Sequence, residues 1–210
     1  MDEQQDIRQE YFGVQLVKHN WGSLCATSHK QVAEKLKVLH ERKKYLPELY
    51  VNRAIQLKFK QFVNSKEKCF IVVGKAGAGK TNLLCHLVEE LTITKGEHNI
   101  PSIILLGGSI MLNDERSLVR KMLSDLLYDE NVNVEVAGEN LANMIKEQGQ
   151  QLIIIIDAIN ENPDVERMRK SLEYLAEFVR DKPIKLCISC RDIFWDFPFN
   201  GWYLLRRGNL

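Results

Sequence analysis

The sequence lacks the long apolar runs of a membrane protein. Its longest uninterrupted apolar run covers residues 152–156, whereas a membrane-spanning helix needs about 20 such residues. The first ten residues, MDEQQDIRQE, are polar and acidic, without the basic start and apolar core of a secretory signal. We therefore expect neither a membrane span nor a secretory signal.

The sequence also lacks a cysteine pattern that would make a disulfide framework. Its five cysteines are an odd number at irregular spacings, which fits a reducing compartment better than an oxidising one. Cys187 and Cys190 form one C-x-x-C pair inside an apolar run, and one pair supplies half a zinc site at most. We expect both to be buried thiols of a cytoplasmic protein.

An excess of either charge is missing as well. Lys and Arg number 29 against 28 Asp and Glu, which gives a net charge of +1. No overall field therefore attracts nucleic acid or an anionic membrane, and we expect neither as a partner. The basic stretch at residues 31–44 keeps a nucleic-acid motor or loader open as an alternative.

What the sequence does contain is an alternation of strand and helix patterns. Short apolar runs predict buried strands at 69–73, 103–106, 152–156 and 184–188. Helical spacing predicts helices at 53–63, 80–91, 115–127 and 139–148, and another that follows an N-cap at Asn162 with Pro163 at its first position. This order predicts an α/β fold, a three-layer αβα sandwich with a mostly parallel sheet. A fifth core strand is hard to find, and residues 203–205 are its candidate.

The first fifty residues differ from the rest. Residues 31–44 carry Val32, Leu36 and Leu39 among many lysines and arginines, which predicts a helix with a basic, solvated face. Pro47 then marks a break. We predict a helical arm or linker at 1–44 and the α/β domain at 45–210.

Residues 74–81 match the phosphate-binding pattern G-x-x-x-x-G-K-[ST] in full, between a predicted strand and a predicted helix. Glycines let backbone N–H groups crowd around a phosphate, and the helix N-terminus adds partial positive charge. The lysine adds a full charge at the β- and γ-phosphates, and the hydroxyl can ligate Mg²⁺. The sequence therefore predicts a P-loop that binds a nucleoside triphosphate with Mg²⁺. The predicted contact residues are Gly74, Lys75, Ala76, Gly77, Ala78, Gly79, Lys80, Thr81 and the following Asn82.

The metal of a P-loop also needs a carboxylate at the tip of a neighbouring strand. Asp157 directly follows the isoleucine-rich strand, so its side chain should emerge at the carboxyl edge of the sheet, where ligands of open α/β folds bind. We predict that Asp157 and Thr81 hold Mg²⁺. Glu161, four residues later, is the candidate for orienting or deprotonating an attacking water. A loop acid near a helix N-terminus is the alternative for Glu161.

The fourth predicted strand ends in the sequence Ser-Cys-Arg-Asp at 189–192. If this strand lies between the P-loop strand and the Asp157 strand, its tip faces the γ-phosphate. Arg191 or Ser189 would then sense that phosphate. A surface ion pair between Arg191 and Asp192 is the alternative.

Together these motifs resemble the STAND class of P-loop NTPases, which includes the NACHT-type signalling ATPases. The similar features are the apolar strand that ends in Asp157, the pattern Asp-Ala-Ile-Asn-Glu at 157–161, and the strand end that carries Ser189 and Arg191. The segment Tyr-Val-Asn-Arg at 50–53 resembles the family's short box whose backbone touches adenine. That resemblance implies nucleotide contacts at Val51 and Arg53.

The resemblance implies an ATP- or ADP-binding regulatory module of a signalling or defence protein. Such modules rest with ADP, self-associate when ATP replaces it, and are reset by slow hydrolysis, which would involve Lys80, Glu161 and Arg191. The family carries further helical and winged-helix domains. We therefore expect the chain to be a fragment, whose aromatic cluster at 194–203 belongs in a core or an interface.

The sequence departs from the family pattern at Asn160, where the family carries a second aspartate. The missing charge keeps a nucleotide-binding scaffold without turnover open as an alternative. A P-loop kinase of a small molecule is a further alternative, although Arg206 and Arg207 are the one candidate pair for its arginine-rich lid.

Overall fold

The structure, a computed structural model, describes residues 20–93 and 100–195. Within these ranges the strands are β1 (Cys69–Gly74), β2 (Ser102–Leu106), β3 (Leu152–Asp157) and β4 (Ile184–Arg191). The helices are α1 (Trp21–Glu41), α2 (Ala54–Val63), α3 (Lys80–Thr92), α4 (Ser117–Leu127), α5 (Val134–Glu147), α6 (Val165–Val179) and α7 (Asp192–Trp195). Short 3₁₀ turns lie at Pro47–Leu49, Gly107–Ser109 and Ile159–Glu161. The four strands predicted from their apolar runs are present, and each is one to three residues longer than predicted.

The strands form one sheet in the order β1-β4-β3-β2, and all neighbouring pairs are parallel. Strand β4 lies between the P-loop strand and the Asp157 strand, which meets the condition set for the role of its carboxyl end. In the register, Gly74 lies opposite Arg191, and Leu106 lies opposite Asp157. Because the strands are parallel, their carboxyl ends lie at one edge of the sheet, where the loops after β1, β2 and β3 meet.

Helices cover both faces of the sheet, as the unbroken apolar runs predicted. In β3, Ile154 and Ile156 pack in a core with residues of α4, α5 and α6. The alternate residues Ile153 and Ile155 pack in a second core with residues of α1, α2 and α3. Since successive strand residues point to opposite faces, this division confirms the three-layer αβα sandwich. The predicted burial of the Cys187 and Cys190 thiols is also confirmed.

Helix α1 covers the outer edge of the sheet beside β2. The Ser28 hydroxyl accepts from the backbone N–H of Ser102 and donates to the Ser102 carbonyl, both at 2.8 Å. Both serines are fully buried. A helix side chain therefore satisfies strand groups that would otherwise be an open sheet edge. The division of the chain at residue 44 stays a prediction.

Several helix boundaries differ from those predicted: α5 begins five residues early, at Val134, and the starts of α1 and α6 have identifiable causes. Helix α1 begins ten residues before the predicted start at residue 31, because Asn20 and Ser23 form a reciprocal capping box. Helix α6 is capped by Asp164, whose side chain accepts from the Arg167 N–H, so the predicted N-cap at Asn162 is wrong. The Asn162 side chain instead bonds the loop that follows β2.

The carboxyl-terminal aromatic cluster is described only in part. Phe194 and Trp195 of α7 are half-buried and pack against the core on the α4–α6 face. The other aromatic residues of the cluster, the candidate strand at 203–205 and the candidate lid arginines lie outside the described residues. None of the helices in the described ranges is long and apolar enough to cross a membrane.

Candidate functional site

The loop between β1 and α3 has the backbone that the P-loop pattern requires. Gly77 and Gly79 have φ values of 75° and 73°, in the left-handed region that glycine adopts without strain. Gly79 is also the N-cap of α3. The Lys80 ammonium donates to the carbonyls of Gly74 at 2.6 Å and Lys75 at 2.9 Å. The loop therefore curls around its own lysine at the N-terminus of a helix, the arrangement that suits an anion.

The first turn of α3 meets the end of β3 directly. The Thr81 hydroxyl donates to Oδ2 of Asp157 at 2.6 Å. Asp157 is the last residue of β3 and is 3% exposed. The structure thus brings together the two residues predicted to hold the metal, although they are 76 positions apart in the chain.

The second oxygen of the Asp157 carboxylate is held by β4. The buried Ser189 hydroxyl donates to Oδ1 of Asp157 and accepts from the backbone N–H of Ala158 at 2.8 Å. Ala158 has a φ of 53°, which costs energy for a residue with a side chain. Ser189 therefore fixes both the carboxylate and the strained residue after it. Its hydroxyl is bound to Asp157, which leaves Arg191 as the residue of this strand end that reaches outward.

Arg191 is held at both its backbone and its side chain by the turn after β3. Its N–H donates to Oδ1 of Asn160 at 2.9 Å. Its Nη2 lies 3.5 Å from Oε1 of Glu161, and the two charged side chains are 41% and 44% exposed. Arg191 thus forms an ion pair with Glu161, whereas the alternative was an ion pair with Asp192.

The loops after β2 and β3 are also bound to each other. The buried Asn162 side chain donates to the carbonyls of Gly107 at 2.8 Å and Ile110 at 2.9 Å. A side chain on Gly107 would lie 2.5 Å from the Ala158 carbonyl oxygen. The close approach of these backbones explains the glycine and fixes the position of the turn that carries Glu161. Nothing in the sequence marks this role of Asn162 beyond the Asn-Pro step, which fits a helix cap equally well.

The segment before α2 contacts the P-loop through a side chain. Arg53 donates through Nη1 to the carbonyl of Ala78 at 2.7 Å, and its guanidinium fills the space where a side chain on Gly79 would lie. Val51 is 71% exposed. The Asn82 side chain accepts from the Leu46 N–H at 3.0 Å and so ties α3 to the segment before the first 3₁₀ turn. The resemblance implied a backbone contact to adenine at 50–53, and it gave no signal for the Arg53 contact to the loop.

Burial keeps the thiol of Cys190, the residue before Arg191, uncharged. Cys190, which pairs with Val73 of β1 in the register, has its pKa raised by burial to about 11. At neutral pH it is therefore a thiol, and thiolates are the form that acts as nucleophile or metal ligand. The strand ends contribute hydroxyl, carboxylate and guanidinium groups to the site.

The residues present suit a hard divalent cation. Across the described residues, no group of three or more His, Cys, Asp or Glu side chains could form a metal site by itself. Thr81 and Asp157 offer two adjacent oxygen ligands beside a phosphate-binding loop. Mg²⁺ is bound in this way in phosphoryl-transfer sites, by one or two protein oxygens together with substrate phosphates. The donor set therefore fits Mg²⁺ that arrives with a nucleotide.

The solved structures that are similar to the chain include two complexes of Drosophila ORC with DNA and Cdc6. "Structure of Drosophila ORC bound to AT-rich DNA and Cdc6" matches with a TM-score of 0.50 and 13% identity, over 88% of this chain and 55% of that chain. "Structure of Drosophila ORC bound to GC-rich DNA and Cdc6" matches with a TM-score of 0.43 and 14% identity, over 82% and 52%. The chain thus spans about half the length of these solved chains. At such identities the first likeness supports the fold alone.

Comparisons of the sequence itself give the family. A search of curated proteins found no match. A comparison with protein-family models matches residues 68–193 to the NACHT domain. This stretch runs from the residue before β1 into α7 and includes the P-loop, Asp157, Glu161 and Arg191. Because it covers more than half of the sequence, the chain belongs to the NACHT family of P-loop NTPases.

Proposed function

We propose that this P-loop module binds ATP and ADP with Mg²⁺ and that the γ-phosphate controls its association with further copies. The observation that carries the proposal is the 2.6 Å contact between the Thr81 hydroxyl and the Asp157 carboxylate. It joins the P-loop helix to the acid at the end of β3, beside the loop that would hold the phosphates. Adenine as the base, and self-association as the output, rest on the family.

Different groups of the chain would bind the phosphates, the Mg²⁺ and the base of the nucleotide. The amides of 74–81 and the N-terminus of α3 would surround the β-phosphate, and the Lys80 ammonium would leave the Gly74 and Lys75 carbonyls for phosphate oxygens. Thr81 and Asp157 would hold Mg²⁺, which when bound neutralises charge on the β- and γ-phosphates. Val51 and Arg53, in the segment that resembles the family's adenine-contacting box, would contact the base.

Two groups at the carboxyl edge would act on the γ-phosphate. Glu161 would orient or deprotonate a water, and Arg191 would contact the phosphate oxygens as charge develops. In the structure Nη2 of Arg191 lies 3.5 Å from Oε1 of Glu161, in a partly exposed ion pair. Hydrolysis would require that this pair separates, and slow turnover itself is an expectation from the family.

The same ion pair favours a second candidate, a nucleotide-binding module without turnover. If Glu161 stays bound to Arg191 when ATP is present, no free carboxylate remains to activate water. Phosphate release without an added acceptor separates the candidates, because a hydrolase releases phosphate, a scaffold releases none, and a kinase requires its acceptor.

Binding is tested with the full chain and fluorescent ADP and ATP analogues in the presence of Mg²⁺. Lys80→Ala should weaken binding about a hundredfold, since hydrogen bonds to charged groups contribute about 1.5–3 kcal/mol. Lys37→Ala, which removes an exposed lysine of α1, is the control and should bind normally. Equal affinity of Lys80→Ala and the wild type would refute the proposed site.

The controlling role of the γ-phosphate is tested by light scattering after size-exclusion chromatography. We expect a larger species with a non-hydrolysable ATP analogue than with ADP, and none of this difference in Lys80→Ala. The same mass with both nucleotides, in a protein that binds both, would refute the assembly part while leaving nucleotide binding in place.

A further inference from the structure

The Asn160 side chain forms a hydrogen bond that joins the turn after β3 to β4. The resemblance assigned this position only a missing charge. Its side-chain oxygen, however, accepts the backbone N–H of Arg191 at 2.9 Å. The next residue, Glu161, binds the guanidinium of the same arginine. Two consecutive residues of the turn after β3 therefore hold one residue of β4, the first at its backbone and the second at its charged end.

The place of Arg191 in the sheet makes this backbone bond consequential. Arg191 is the last residue of β4, and its register partner is Gly74, the first residue of the P-loop. A shift of its backbone would therefore move its guanidinium relative to the phosphate-binding loop. Its side chain is partly exposed and, among the residues that the structure describes, forms one ion pair, so the guanidinium can reorient while the backbone stays anchored.

We propose that Asn160 is a positioning residue that anchors the Arg191 backbone, so that the guanidinium exchanges between Glu161 and the γ-phosphate. This inference rests on the proposed function. The turn after β3 would then discriminate between ATP and ADP. Asn160 would favour ATP binding because it keeps the Arg191 guanidinium close to the γ-phosphate, and Glu161 would oppose ATP binding because it competes for the same guanidinium. The neutral amide suits this role, because it accepts the N–H without adding a second negative charge near the phosphates.

The two residues should shift discrimination in opposite directions. Asn160→Leu keeps a similar volume but removes the acceptor, so affinity for the non-hydrolysable analogue AMP-PNP should fall about tenfold while ADP affinity stays within about twofold. Glu161→Gln removes the competing charge, so the affinity for AMP-PNP relative to ADP should rise. General damage to the fold would lower affinity for both nucleotides.

Rescue and a double-mutant cycle complete the test. Asn160→Asp restores an acceptor for the Arg191 N–H and should recover part of the AMP-PNP affinity that Asn160→Leu loses, but less than the wild type has, because its negative charge lies near the phosphates. In an Arg191→Ala background, Asn160→Leu should have no further effect on the AMP-PNP to ADP ratio, because the residue it positions is gone. Affinities are measured by isothermal titration with Mg²⁺ and the full chain.

The outcomes separate this inference from the proposed function. If Asn160→Leu weakens ADP and AMP-PNP equally, or if its effect persists without Arg191, the positioning role is wrong while nucleotide binding stands. If the wild-type chain binds neither nucleotide, the proposed function fails and this inference fails with it.

Discussion

The close contact between the loops after β2 and β3 leads to a sharp prediction for Gly107→Ala. A Cβ at Gly107 would lie 2.5 Å from the Ala158 carbonyl oxygen and 2.8 Å from the Ile159 Cα. These are backbone atoms of the turn that follows Asp157, so no flexible side chain can move aside. The φ of Gly107 lies outside the left-handed region, so the clash, and not the backbone conformation, is the obstacle to alanine.

The size of the effect follows from that overlap. The two backbones must separate by at least roughly 0.5 Å, in a buried region where overpacking costs about 1–3 kcal/mol. In a domain of this size each kcal/mol lowers Tm by about 2–4 °C, so we expect a fall of roughly 2–12 °C. The turn carries Glu161, and a displacement of about 1 Å can reduce turnover about a hundredfold. Phosphate release should therefore fall further than stability alone explains.

Gly108→Ala is the matched control for stability. Its Cβ would lie 3.2 Å from the Glu161 Cβ and 3.3 Å from the Glu161 carbonyl oxygen, contacts that a shift of a few tenths of an ångström relieves. Replacing glycine by alanine also restricts the unfolded chain, which stabilises the protein by about 0.4–1 kcal/mol at a compatible site. Chemical denaturation of the two variants measures the difference. If Gly107→Ala is as stable as Gly108→Ala, the inferred packing of the two loops is incorrect.

Two further predictions concern residues away from the site. Ser28→Ala leaves the buried N–H and C=O of Ser102 without a partner and should lower the free energy of unfolding by about 2–4 kcal/mol, as measured by urea titration. Thr27→Ala, a change at the half-buried preceding residue, should lower the free energy of unfolding much less in the same measurement. Burial lowers the pKa of Lys185, which is 6% exposed, from 10.5 to about 8. Because the unfolded chain then binds more protons between about pH 8 and pH 10.5, wild-type stability relative to Lys185→Met should rise across that interval by at most about 3 kcal/mol. A difference between the two proteins that falls or stays constant with pH would contradict this.

The parts of the fold that the sequence predicted are those encoded by local patterns. The P-loop match fixes its own backbone, because Gly77 and Gly79 supply the positive φ values that the loop needs. The run that ends in Asp157 is apolar on both faces and therefore identifies a central strand, whose carboxyl end must lie at the ligand edge. The contact of Thr81 with Asp157 could be expected from these two facts alone.

The parts that were missed depend on polar side chains that bond distant backbone. Ser28 lies between Leu24 and Val32 among the buried residues of α1. Because serine is polar, it interrupts the helical spacing of apolar residues that would have extended the predicted helix toward its N-terminus. Asn162 has the residue type of a helix cap, but its amide is used by the loop after β2. In both cases the partner is 50 or more positions away, so no local pattern could reveal it.

The contacts at the carboxyl edge suggest the order in which nucleotide would act. Asn162 joins the loop after β2 to the loop after β3. Asn160 and Ser189 join the turn after β3 to β4. In each case a short polar side chain forms a hydrogen bond with a backbone group of the neighbouring segment. Such bonds resist relative movement, so these segments should move as one body. Strand β1 pairs with β4 up to the first residue of the P-loop, and the helix after the P-loop contacts these segments through the hydrogen bond from Thr81 to Asp157, in which the hydroxyl can rotate to a new acceptor. Nucleotide should therefore change the bond between Thr81 and Asp157 first, and reach the Glu161–Arg191 pair only when a γ-phosphate is present.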